Sequence, residues 1–152
     1  MLNVVLMAPE IPHNTGAAGR LCLATGACLH LVKPLGFSLD DRQVRRAGLD
    51  YWKDVNVRVW ESWDEFAASV ADSRVWLLTT KSERPYWDAT FEDGDYLVFG
   101  SETRGLPESL LGARAEHTLT VPMRKESTRS LNLATSVGIV LYEAVRQVGI
   151  SD

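Results

Sequence analysis

An α/β fold, a mostly parallel sheet with helices on both faces, is what this sequence predicts, and three observations predict it. Short apolar runs recur along the chain, each bounded by turn-forming residues. Runs of that length and composition are strands buried on both faces, as in parallel sheets. Between them lie stretches that carry helix caps, so strands and helices alternate. Finally, the last segment keeps apolar residues at 133, 137, 140, 141, 144, 145 and 148, one continuous helical face that needs a surface to pack on.

Leu2 to Met7 forms the first strand, with Asn3 its only polar residue, and Pro9 and Pro12 stop it. Asn14 is a good cap for a helix from about Thr15 to Thr25, which Gly26 is placed to end. Gly16 and Gly19 fall inside that helix, each costing about 1 kcal/mol relative to Ala, and so imply close approach by another backbone or by a ligand. Cys28 to Val32 is a second strand, Lys33 to Phe37 a loop, and Asp40 or Asp41 caps a basic helical stretch through Arg46. Asn56 to Trp60 alternates like a strand. Ser62-Trp63-Asp64-Glu65 is a capping box that opens a helix through about Val70. Arg74 to Thr79, Tyr96 to Phe99 and Thr118 to Val121 complete the strands, and Ser130 is a cap for the last helix. No repeat, low-complexity segment or linker interrupts residues 1–152, which read as one domain.

Composition narrows the function classes. Hydrophobic residues at 45% and charged residues at 24% describe an ordinary globular chain, with nothing biased toward disorder. The N-terminus lacks the basic lead and the length of a secretory signal. The longest apolar uncharged run, Ser130 to Tyr142, is too short to cross a bilayer as a helix. A cytoplasmic location without membrane contact follows as the expectation. Cys22 and Cys28, each in an apolar segment, read as reduced core thiols. His13, His30 and His117 have no ligand spacing around them, so no metal site is expected, and His30 inside a strand reads as structural.

A net charge of −4 argues against indiscriminate nucleic-acid binding but leaves room for a local basic surface. Arg42, Arg45 and Arg46 fall at near-helical spacing, and Arg124, Lys125 and Arg129 crowd one later loop. The turn after the first strand has no G-x-G-x-x-G, and the second strand ends in Val32-Lys33 rather than an acid, so a dinucleotide site is not predicted. There is no phosphate-binding P-loop, and Gly100-Ser101-Glu102 does not match a hydrolase elbow.

Three stretches exceed what local structure requires. They are Asn14-Thr15-Gly16-Ala17-Ala18-Gly19-Arg20, Phe99-Gly100-Ser101-Glu102-Thr103-Arg104-Gly105-Leu106-Pro107, and Ser130-Leu131-Asn132-Leu133. In this order they resemble the three motifs of the SpoU/TrmH class of SPOUT RNA methyltransferases. Further matches at Ala8 to Pro12, Gly36-Phe37, Arg45 to Tyr51 and Asp93 to Tyr96 extend the resemblance over nearly the whole chain, toward the short TrmL branch, which lacks an added RNA-binding domain.

The resemblance implies a SPOUT fold with a C-terminal trefoil knot, a homodimer, and S-adenosylmethionine (AdoMet) as cofactor. The implied substrate is the anticodon stem-loop of tRNA, methylated on the ribose 2′-oxygen of its wobble nucleotide. Another tRNA or ribosomal RNA site, and an inactive cofactor-binding or RNA-binding relative, are the alternatives. Carried over residue by residue, the cofactor pocket comprises Leu78, Thr79, Gly100, Glu102, Gly105, Val121, Met123, Ser130 and Leu131. The reacting end comprises Asn14, Arg20, Glu102, Ser130 and Asn132, with Glu102 either orienting Arg20 or holding its loop. Arg20, Arg42, Arg45, Arg46 and Arg129 are expected on the RNA. Tyr142 belongs to a dimer interface or to the core. Two departures from the family pattern stand out: Ser101, where relatives often have Pro, and the segment between Pro122 and Ser130, about one residue longer.

Overall fold

The structure is a computed structural model that describes residues 1–39, 51–127 and 129–152. Arg42, Arg45 and Arg46, and the helix expected after Asp40 or Asp41, lie outside the described residues. Six strands form one sheet: β1 (Asn3–Met7), β2 (Cys28–Val32), β3 (Val57–Trp60), β4 (Val75–Leu78), β5 (Tyr96–Phe99) and β6 (Thr118–Leu119). Their order is β3-β2-β1-β5-β4-β6, and every pairing is parallel. The expected α/β class holds, and among these strands the sheet is wholly parallel.

Side chains alternate across the sheet, so each strand feeds two cores. Val4, Leu6, Leu29, Leu31, Trp76, Leu78, Leu97 and Phe99 pack with α1 (Pro12–Thr25) and α4 (Leu133–Val148) on one face. Val5, Val32, Val75, Leu77 and Val98 pack with α2 (Trp63–Ser69) and with α3 (Glu108–Ala113) on the other. The sequence pattern does not predict α3, because six residues cannot express a helical period. In α4, Val137, Val140, Leu141 and Ala144 are buried, as their spacing predicts. At α2, the Glu65 amide donates to Ser62 Oγ at 3.1 Å, the expected cap.

Two caps differ from expectation. Helix α1 begins at Pro12, placing Asn14 inside its first turn, and the flanking Ile11 offers no side-chain cap. Helix α4 is capped by Asn132, whose Oδ1 accepts from the Thr135 amide at 3.2 Å, and Ser130 lies before it. Both differences free a side chain for the site. Gly26 does end α1, at φ 73°.

Within α1, Gly19 answers to one of this chain's own aromatics. A Cβ on Gly19 would sit 2.6 Å from the Trp52 ring, and Tyr51 Oη donates to the Gly16 carbonyl at 2.9 Å. Cys22 and Cys28 are free and buried, and burial pushes the Cys22 thiol up to about 12. His30 is built into the core: Trp60 Nε1 donates to its Nδ1 at 3.0 Å, so its Nε2 carries the proton and donates to Asn3 Oδ1 at 3.0 Å.

Candidate active site

The carboxyl ends of β4, β5 and β6 open into a cleft of about 550 Å3. Clefts outside the carboxyl ends of parallel strands are where such sheets take ligands. Its walls come from four segments: Leu78 to Lys81, Phe99 to Leu106, Thr120 to Met123, and Arg129 to Leu133. Leu78, Thr79, Gly100, Glu102, Gly105, Val121, Met123, Ser130 and Leu131 all line it, together with Arg129, Asn14 and Asn132. Lys81 and Ser136 line it as well, and no sequence signal marks either.

The loop after β5 is bent by close backbone packing. A Cβ on Gly100 would lie 2.1 Å from the Gly105 carbonyl carbon and 2.4 Å from the Leu106 nitrogen. Gly105 adopts φ 65°, and its amide donates to the Ser101 carbonyl at 3.0 Å. Only glycine fits the first position, and the second lies where glycine is least strained.

That bend aims Glu102 at the start of α1. The Glu10 amide donates to one Glu102 carboxylate oxygen at 2.8 Å, and the Ile11 amide donates to the other at 2.8 Å. Glu102 thus gives α1 the negative group that its own first turn lacks. Asn14 Nδ2 also donates to Glu102, at 3.2 Å, and Asn132 Nδ2 donates to Asn14 Oδ1 at 3.0 Å. The chain Thr135 N–H, Asn132, Asn14, Glu102 therefore runs in one direction, and both amide oxygens are engaged. Each Nδ2 has one N–H beyond the bond it donates here, and both residues line the cleft.

Arg20 lies elsewhere. It is six residues beyond Asn14, roughly 120° around the helix. Its guanidinium sits 5.7 Å from the centroid of the Tyr51 ring, exposed. Within one chain it does not line the cleft or hydrogen-bond Glu102 among the described residues. The bonds Glu102 makes are those of a residue that holds its loop. Tyr142, on α4, is 45% exposed.

The SpoU rRNA Methylase family profile matches residues 1–142. The chain belongs to the SpoU methylase family. One relative of this SpoU methylase, the tRNA (cytidine(34)-2′-O)-methyltransferase of Burkholderia cenocepacia, is 52% identical over 98% of this chain and 97% of its own. A solved structure described as giving structural insights into the 2-OH methylation of C/U34 on tRNA superposes with TM-score 0.90 at 45% identity, covering 97% of this chain and 95% of that one. The SpoU methyltransferase AviRb of Streptomyces viridochromogenes, solved in complex with AdoMet, superposes with TM-score 0.78 at 27% identity over 97% of this chain and 60% of that one. Among the described residues no helix is long and apolar enough to cross a membrane, and no three His, Cys, Asp or Glu side chains are grouped to hold a metal.

Proposed function

We propose that this chain is an AdoMet-dependent methyltransferase that modifies the ribose 2′-oxygen of the wobble nucleotide of tRNA, cytidine or modified uridine. One observation carries the reading. The three motif residues Glu102, Asn14 and Asn132, far apart in sequence, are joined by hydrogen bonds at one cleft, in a chain whose near full-length relatives are named for this reaction. The site fits the cofactor in kind: a cleft in the size range of cofactor sites, whose walls mix apolar side chains such as Leu78, Val121, Met123 and Leu131 with polar ones such as Thr79, Ser130 and Asn132.

AdoMet supplies an electrophilic methyl group on a sulfonium centre. The residues of this chain supply alignment and charge. Main-chain groups of Leu78, Thr79, Val121 to Met123 and Ser130 to Leu133 hold an adenosine without the acid of a dinucleotide site. The Gly100 to Gly105 bend shapes one wall. The N–H groups of Asn14 and Asn132 face charge that develops as the 2′-hydroxyl becomes an alkoxide, the arrangement that lowers such a barrier. With their oxygens engaged, neither amide takes the proton. Guanidinium is too weakly acidic to serve as a base, so Arg20 positions the hydroxyl or the neighbouring phosphate and stabilises negative charge, and water or another acceptor removes the proton.

Because Arg20 faces away from its own cleft, a homodimer completes the site. Pooling Arg20 and Arg129, with Arg42, Arg45 and Arg46, from two copies offsets the net charge of −4 at a shared RNA-binding cleft that receives the anticodon stem-loop. A monomeric variant that folds and still methylates tRNA normally contradicts the shared site. Family resemblance supports the remaining features: a C-terminal trefoil knot, one catalytic domain over 1–152, and a place in the cytoplasm with tRNA. The direct test supplies labelled AdoMet with an anticodon stem-loop. A ribose wobble nucleotide accepts the methyl, and its 2′-deoxy counterpart does not.

A further inference from the structure

A second carboxylate, which the reaction does not use, faces the same loop. Glu10 lies just after β1, and its Oε1 accepts both from Thr103 Oγ1 at 2.7 Å and from the Thr103 amide at 3.1 Å. Its neighbour in the interaction is reciprocal, since Glu102 accepts from the Glu10 and Ile11 amides. Two adjacent loops, from the paired strands β1 and β5, thus hold each other through four hydrogen bonds to carboxylates. The Glu10 segment is itself braced: the Gly36 amide donates to the Pro9 carbonyl at 2.9 Å, and a Cβ on Gly36 would lie 2.7 Å from the Glu10 carbonyl oxygen. Thr103 hydrogen bonding holds the Glu10 carboxyl below the usual carboxylate range. Thr103 belongs to the cleft wall, and Glu10 does not line the cleft.

We propose that Glu10, acting through Thr103, is a positioning residue that presets the Ser101 to Leu106 wall for the cofactor. This rests on the reading of the cleft as an AdoMet site. The braced β1 loop is the fixed side, and the bent loop after β5 is the side that is set. When the clasp opens, Glu102 loses its aim at α1, and only a fraction of molecules present an organised wall. Apparent affinity falls by that fraction, whereas turnover at saturation is unchanged because bound cofactor restores the organised state. A residue needed only for folding would lower thermal stability without that split.

The experiment measures kcat and KM for AdoMet with tRNA, and AdoMet affinity by calorimetry, for wild type, Glu10→Ala, Glu10→Gln, Thr103→Val, Thr103→Ser and the double variant Glu10→Ala/Thr103→Val. Glu10→Ala raises KM and the dissociation constant about tenfold, with kcat within about twofold, the loss expected for charge-assisted hydrogen bonds. Glu10→Gln keeps the accepting oxygen and returns most of the affinity, and Thr103→Ser, which keeps both donors, loses less affinity than Thr103→Val. The double variant is no weaker than Glu10→Ala, since both changes break one clasp. Unchanged KM in Glu10→Ala, a loss confined to kcat, or losses that multiply in the double variant overturn the proposal. Failure of wild type to bind AdoMet instead overturns the cofactor reading beneath it.

Discussion

Replacing Glu102 by Gln removes one charge and turns one of two accepting oxygens into a donor. Three donors converge on this carboxylate: the Glu10 amide on one oxygen, and the Ile11 amide and Asn14 Nδ2 on the other. The amide of Gln cannot satisfy both sides. In its better orientation it keeps the bonds from Ile11 and Asn14 and sets its own N–H groups against the Glu10 amide. A hydrogen bond to a charged group contributes about 1.5–3 kcal/mol, and the favourable charge at the start of α1 adds about 0.3–1 kcal/mol. The expected loss is therefore about 3 kcal/mol. If it falls on the whole fold, the melting temperature drops by about 6–12 °C for a chain of this size. If the loop opens locally instead, AdoMet affinity falls by up to about a hundredfold, and the melting temperature moves less. Calorimetry of melting with and without AdoMet, together with titration of the cofactor, distinguishes these. A Glu102→Gln protein that melts within 2 °C of wild type, on the order of one resolvable shift, and binds AdoMet equally well refutes the reasoning.

Three further outcomes follow from the same geometry. Gly100→Ala places a methyl group against the backbone of Gly105 and Leu106, so the β5 loop must shift, and cofactor binding falls more than about tenfold; titration with AdoMet reads this directly. Burial, with a smaller contribution from Arg58, lowers the pKa of His30 from 6.5 to about 4. The unfolded chain therefore takes up a proton that the folded one refuses. Stability from this group is intact above about pH 6.5 and is lost as pH falls toward 4, at up to about 1.4 kcal/mol per unit, whereas His30→Phe flattens that slope in denaturant titrations. Finally, the buried thiols stay unreactive toward an aromatic disulfide reagent at pH 8 until denaturant is added, and a fast-reacting thiol in the native protein contradicts their placement.

Much of this was legible in the sequence because the relevant signals are local. Each strand is an apolar run, and the stripe of α4 is periodic over 133–148. The three motifs carry the candidate site residues on short spacings. What local signals could not convey is pairing over distance. Asn14 satisfies every sequence rule for a helix cap, yet the carboxylate at the start of α1 comes from Glu102, 91 residues from Ile11 in sequence. The bond between Glu10 and Thr103 spans 93 residues. Gly19 signalled close approach but not by what, because the answer, the Trp52 ring, lies across a loop. Arg20 reads as part of the motif that contains Asn14, and only the turn of the helix separates the two in direction.

The proposed activity is decided by where the methyl group goes. Total tRNA from cells lacking the protein, incubated with the purified chain and AdoMet, is digested with nucleases and mapped by mass spectrometry. One new 2′-O-methyl group is expected, at the first anticodon nucleotide, with none when Arg20 is replaced by Ala. A methyl group on a base, on a different ribose, or absent from the wild-type reaction contradicts the proposed activity.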